Sequence, residues 1–147
     1  MTATRVLFVS TSNASRSILA EALLRRAGGP AFEAFSAGIA PTEVQPLTRT
    51  VLEQAGFDHD WAVAKSVDSF AGATFDYVIT LCDDARLVCP IFPGADQSIH
   101  WGYPEPANVV GDHAARLQAY ERVFTALSER VRQFVVIASR TGSSVAG

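Results

Sequence analysis

The unbroken apolar run Val6-Leu7-Phe8-Val9 passes directly into a small polar stretch, Ser10-Thr11-Ser12-Asn13-Ala14-Ser15, after which Ile18, Leu19, Ala22 and Leu23 recur at helical spacing. A strand without polar alternation is buried on both faces, the condition of a parallel sheet covered by helices. Gly28-Gly29-Pro30 closes the first helix. Ala31 to Ser36 then reads as a second strand closed by Ala37-Gly38, and Pro46 to Ala55 as a helix stopped at Gly56. Asp76 to Leu81 is a third buried strand and Ser98 to Trp101 a short fourth. A loop with Pro104 and Pro106 precedes a long helix carrying Leu117, Tyr120, Val123, Phe124, Leu127 and Val131 on one face. The pattern predicts an α/β fold, a single-domain three-layer sandwich around a four-stranded parallel sheet, with functional loops at the carboxyl ends of the strands. The domain is expected over residues 1–140, with 141–147 as a flexible tail.

With 147 residues, 48% of them hydrophobic, one compact core is affordable by size alone. The net charge of −3, with basic residues scattered, gives no patch suited to a nucleic-acid backbone or an anionic membrane. No run approaches the roughly 20 apolar residues that span a bilayer, and the first ten residues lack a secretory layout. A cytoplasmic monomer is the expectation. Cys82 and Cys89 are the two cysteines, and a domain of this size and composition has no need of a disulfide to fold.

A polar loop between a buried strand and a helix presents backbone N–H groups at a helix N-terminus, a ready anion site. Arg16, in the first turn, has the planar fork that holds a tetrahedral oxyanion in bidentate fashion. A serine-rich turn with capping hydroxyls and a solvated arginine explains the same residues.

A wider pattern sharpens the choice. Val6 to Ser17 with Ala20-Glu21-Ala22-Leu23-Leu24 behind it, Ser36-Ala37-Gly38, Thr80-Leu81-Cys82-Asp83-Asp84-Ala85 to Cys89-Pro90, and His100 to Ala107 occur in that order along nearly the whole chain. Together they resemble the low-molecular-weight tyrosine phosphatase family, and the last two stretches resemble its thioredoxin-coupled arsenate reductases. The resemblance implies an oxyanion loop of Thr11, Ser12, Asn13, Ala14, Ser15, Arg16 and Ser17, with Asn13 and Ser36 bracing it. It places the family's nucleophilic cysteine on Ser10, its anion-binding arginine on Arg16 and its supporting hydroxyl on Ser17. A second loop cysteine of several relatives falls on Ser15, and a customary glycine on Ser12.

Ser10 changes the chemistry that this resemblance implies. In the family a thiolate attacks arsenate and its sulfur ends in a disulfide, so thiols supply the two electrons that make arsenite. A hydroxyl cannot supply them, and no histidine stands beside Ser10 in sequence to activate it. The chain as written is therefore expected to bind oxyanions, arsenate with phosphate or sulfate as stand-ins, without reducing arsenate. Either the nucleophile was lost naturally, or cysteines at 10 and 15 were replaced by engineering to trap the cycle. Retention of Cys82, Cys89 and the entire loop favours the second.

The resemblance further implies that Cys82 attacks the nucleophile's sulfur, that Cys89 then attacks Cys82, and that thioredoxin, the reductant, opens the resulting disulfide. Two buried, unrelated cysteines are the plainer reading of the pair alone. His59, His100 and His113 show no ligand spacing with these thiols, so no metal and no bound cofactor are expected. Glu105, between Pro104 and Pro106, falls where the family carries the aspartate that protonates the leaving oxygen. Some relatives hold potassium near the loop with an acidic side chain, and Lys65 falls at that position, either as a built-in cation or as a surface lysine. The implied activity is arsenate reduction for detoxification. A tyrosine phosphatase and a non-catalytic oxyanion-binding protein are the alternatives.

Overall fold

The computed structural model describes residues 3–82 and 95–146, with side chains to residue 140. Strand β1 (Thr4–Ser10) leads into helix α1 (Arg16–Gly28), and a 3-10 turn at Gly29–Ala31 returns the chain to β2 (Phe32–Gly38). Helix α2 (Pro46–Gln54), a 3-10 turn (Val67–Phe70), β3 (Tyr77–Thr80), β4 (Gln97–His100), a 3-10 turn (Pro106–Asn108) and α3 (His113–Ala146) follow. Helix α3 runs on through Ala146, past the domain end expected at residue 140.

The four strands form one sheet in the order β2-β1-β3-β4. Every pairing is parallel, with Ser10 opposite Gly38 at one end of β1 and Val9 opposite Thr80 on its other side. β1 is therefore central, and its last five residues are buried, as its unbroken apolar sequence requires. Val6 and Phe8 face a core shared with Ile18, Leu19, Leu24, Leu52, Tyr120 and Leu127 from the three helices. Leu7 and Val9 point the other way, where they pack with Val78 of the neighbouring strand under Val67 and Phe75. This α/β three-layer arrangement sets the carboxyl ends of β1, β3 and β4 side by side, and the loops that follow them converge there.

Aromatic packing fixes the far edge. Phe134 of α3 meets Tyr77, Trp101 and Phe32 at ring separations of 4.9, 5.8 and 6.1 Å, which seats the long helix across three strand ends or starts. Among the described residues, no helix is long and apolar enough to cross a membrane.

Candidate active site

The loop from Ser10 to Ser15 is held by its carbonyls. Ile39 N–H donates to Ser10 O at 3.1 Å, Ala40 N–H to Thr11 O at 2.8 Å, Thr42 N–H to Ser12 O at 3.1 Å, and Gln45 N–H to Ala14 O at 3.1 Å. The Thr48 hydroxyl also donates to Ala14 O, at 2.8 Å. With the carbonyls drawn outward, the N–H groups are left on the opposite side. Among the described residues, nothing accepts from the N–H of Thr11, Ser12 or Ala14. A concave row of unsatisfied donors at a helix N-terminus is an anion cradle.

Asn13 sets the bend. It is the only non-glycine residue with positive φ among those described, at 52°, a conformation that asparagine tolerates better than most. Its Nδ2 donates to Ser17 Oγ at 2.7 Å, and its Oδ1 accepts from Lys65 N–H at 2.8 Å. Ser17 Oγ lies 2.7 Å from Ser10 Oγ, which also accepts from Asn13 N–H at 3.2 Å. Ser10 is thus buried inside a network of hydroxyls and amides. Among the described residues it meets no histidine or carboxylate that could remove its proton.

Arg16 enters from the first turn of α1 with its side chain only 6% exposed. Its Nη1 donates to Tyr103 O at 2.9 Å, and Nη2 pairs with Glu105 Oε1 at 3.3 Å. Among the described residues Arg16 Nε has no partner, and it is sealed from bulk solvent. A buried guanidinium donor without an acceptor is costly unless a ligand supplies one. Glu105 uses its other oxygen to cap the 3-10 turn at Pro106–Asn108, accepting Ala107 N–H at 3.1 Å. Arg16, Glu105, Thr11, Ser12, Cys82 and Tyr103 line one open cleft of about 660 Å³.

Cys82, half-buried two residues past the end of β3, places its Sγ 3.0 Å from the Thr11 hydroxyl at the rim of the cradle. Cys89, the other half of the expected relay, lies outside the described residues. Of the residues expected to act together, Thr11, Ser12, Arg16, Cys82 and Glu105 line the cleft, Ser10, Asn13 and Ser17 are bonded to one another within the loop, and Ala14 and Ser15 complete its backbone.

One expectation about bracing needs correction, and Lys65 meets its own only through the main chain. Ser36 does not reach the loop: its hydroxyl donates to the buried Glu21 of α1, because β2 presents that residue beside Phe8, behind the cradle. Lys65 braces the loop through its backbone N–H, while its ammonium turns to Val63 O at 2.7 Å. Ser15 supplies no helix cap either. Its hydroxyl is buried next to Tyr120, and among the described residues neither oxygen makes a hydrogen bond of ordinary geometry. Burial raises the Tyr120 phenol above its ordinary value, with Ser15 beside it pulling the other way. His100 is a strand-end residue whose Nδ1 lies 2.9 Å from the Thr80 hydroxyl.

Glu21 was not singled out from sequence as a working residue, although a lone acid within Leu19-Ala20-Glu21-Ala22-Leu23 was the available signal. Its side chain is 3% exposed and bonded to Ser36 and Arg25. Burial raises its carboxyl above the ordinary glutamate value, while Ser36, Arg25 and Lys65 oppose the shift. Burial in turn lowers the Lys65 ammonium, with Glu21 opposing. The segment 39–45, which orients the loop carbonyls, was equally invisible, since backbone donors leave no mark in side-chain identity. Among the described residues no group of three or more His, Cys, Asp or Glu side chains could hold a metal ion.

Comparison with known proteins identifies the family of this fold. Residues 5–143 match the family described as low molecular weight phosphotyrosine protein phosphatase. An arsenate reductase of Bacillus licheniformis is 30% identical over 129 residues, covering 88% of this chain and 93% of that protein. The crystal structure of arsenate reductase from Archaeoglobus fulgidus superposes with a TM-score of 0.72 at 28% identity, over 88% of this chain and 98% of that one. A thioredoxin-dependent arsenate reductase of Corynebacterium glutamicum does so with a TM-score of 0.68 at 27% identity, over 92% of this chain and 63% of that one. The chain belongs to the low molecular weight phosphotyrosine protein phosphatase family, among relatives that are arsenate reductases, and it carries serine at the position of the nucleophilic cysteine.

Proposed function

We propose that this domain binds arsenate in the Ser10–Ser17 cradle and belongs to an arsenate-reducing thiol relay regenerated by thioredoxin. The observation that carries the reading is the pairing of an unsatisfied oxyanion cradle with a thiol at its rim, Cys82 Sγ at 3.0 Å from Thr11 Oγ1. A hydrolytic phosphatase has no use for that thiol, whereas a reductase requires one. The C. glutamicum relative, described as thioredoxin-dependent, supports the choice of reductant.

Bound arsenate would accept from the loop N–H groups and Arg16, taking Glu105's place on Nη2. Glu105, released from that pair, is positioned by Pro104 and Pro106 to hand a proton to a departing oxygen. The family's own first step, thiolate attack from position 10, is closed to Ser10, whose hydroxyl meets no base among the described residues. The intact cradle and the retained cysteines favour replacement of cysteines at 10 and 15 by engineering; a gene encoding serine at both positions would end that reading. The setting proposed is cytoplasmic arsenic detoxification by a monomer.

The test is thioredoxin-dependent arsenate reduction by the Ser10→Cys, Ser15→Cys double variant, run beside the chain as given. Repeated turnover in the double variant, far above the parent, is the expected result. No turnover, with thioredoxin active on another substrate, would remove the reductase reading. It would leave a non-catalytic oxyanion-binding protein, the reading that the buried, locked Ser10 favours.

A further inference from the structure

Resting on the oxyanion reading above, we propose that in this chain Cys82 itself is the nucleophile toward bound arsenate, in place of position 10. This departs from the expectation that a chain with Ser10 has no reductive chemistry. Four observations converge on it. The thiol lines the same cleft as Arg16 and Glu105. Its Sγ is bonded to Thr11, whose N–H belongs to the cradle, so sulfur and anion site are separated by one residue's span. Arg16, 5% exposed, lines that cleft, and its Nε meets no acceptor among the described residues, which points to an anion independently of the cysteine. Ser10 Oγ, by contrast, is fixed by Ser17 and Asn13.

The chemistry balances with one outside reagent, a second thiol. The Cys82 sulfur gives an electron pair to arsenic, forming S–As as an As–O bond breaks. The leaving hydroxyl takes the thiol's proton, relayed through Glu105, and departs as water. A second thiol, such as glutathione, then attacks the Cys82 sulfur. The S–As electron pair stays with arsenic, which falls from the pentavalent to the trivalent state and leaves as arsenite. The two sulfurs are oxidised to one disulfide, and the second thiol's proton goes to the arsenite oxygen. The thiol at the rim thus performs in one chain what the family divides between two cysteines.

The experiment incubates the chain as given with arsenate and reduced glutathione in the absence of oxygen, measuring arsenite and mapping disulfides by peptide mass. Arsenite and a disulfide on Cys82 should appear in equal amounts, and phosphate in place of arsenate should give no disulfide. Cys82→Ser should lose the arsenite signal while keeping its melting temperature. Arsenite no higher than with glutathione alone, or formed without a disulfide on Cys82, would overturn the proposal if calorimetry shows arsenate bound. If calorimetry shows neither arsenate nor phosphate bound, the oxyanion reading itself fails and this inference with it.

Discussion

Gly38 lies flat against the peptide joining Ser12 to Asn13: a Cβ at Gly38 would stand 2.9 Å from Asn13 N and 2.9 Å from Ser12 C. Both neighbours are backbone and cannot swing aside, so the end of β2 has to be bare for the anion loop to close over it. Gly38→Ala should therefore destabilise the fold by about 1–3 kcal/mol through overpacking. It should also weaken phosphate binding, because relief comes only by moving the loop. Urea unfolding with phosphate calorimetry checks this; unchanged phosphate affinity would mean that the contact does not set the loop.

Asn13 joins two roles that substitution can separate. Asn13→Ala loses the bonds to Ser17 and Lys65 and leaves a Cβ residue at φ 52°. Asn13→Gly loses the same bonds but accepts the conformation. The alanine variant should be less stable than the glycine variant by about 1 kcal/mol, the cost of left-handed backbone. Both should fall below the parent by about 1–3 kcal/mol for the lost buried bonds. Equal stability of the two variants in chemical denaturation would show that the backbone carries no strain there.

What could be read beforehand follows from where the information lies. Val6 to Val9 announced a central parallel strand because burial on both faces leaves a continuous apolar run, and Arg16 announced an anion because few side chains suit one so well. The cradle's orientation was hidden, since it rests on N–H groups of residues 39–45 bonding loop carbonyls. Ser36 misled for a similar reason. A serine near a loop in sequence pattern reads as a brace, and only the register of Ser36 with Phe8 shows that it faces Glu21. The Thr11–Cys82 contact spans the β1–β3 pairing, which no local pattern encodes.

Arg16→Lys keeps the charge and removes the fork. The guanidinium now reaches Tyr103 O and Glu105 together and offers Nε besides. An ammonium cannot reproduce that planar set. Phosphate affinity should drop by about 1.5–3 kcal/mol, roughly ten- to a hundredfold, with little change in thermal stability. Retained affinity in calorimetry would shift the binding onto the loop N–H groups alone.

Glu21 makes stability depend on pH in a stated direction. Its folded-state carboxyl is raised above the ordinary value of 4.5, so the folded chain binds its proton more readily than the unfolded chain does. Its contribution is fully present below pH 4.5 and declines as pH rises through the raised value. The slope from one such group is at most about 1.4 kcal/mol per pH unit. Glu21→Gln should lack this segment of the curve. Parallel curves for parent and variant, from urea titrations across mildly acid to neutral pH, would assign the pH dependence elsewhere.

Lys65 offsets that cost from within the chain. Its charge lowers the Glu21 carboxyl against the effect of burial, and its own ammonium is held beside the site by Val63 O. A side chain that supplies the positive charge removes the need for a bound monovalent cation. Melting temperatures in potassium and sodium at equal ionic strength should therefore coincide for the parent chain. Lys65→Ala should carry Glu21's loss of stability to higher pH, since one of the influences holding the carboxyl down is gone. Stabilisation of the parent by potassium and not sodium would show that the ammonium does not substitute for a cation, and Lys65 would then be a surface residue that braces Asn13 through its backbone alone.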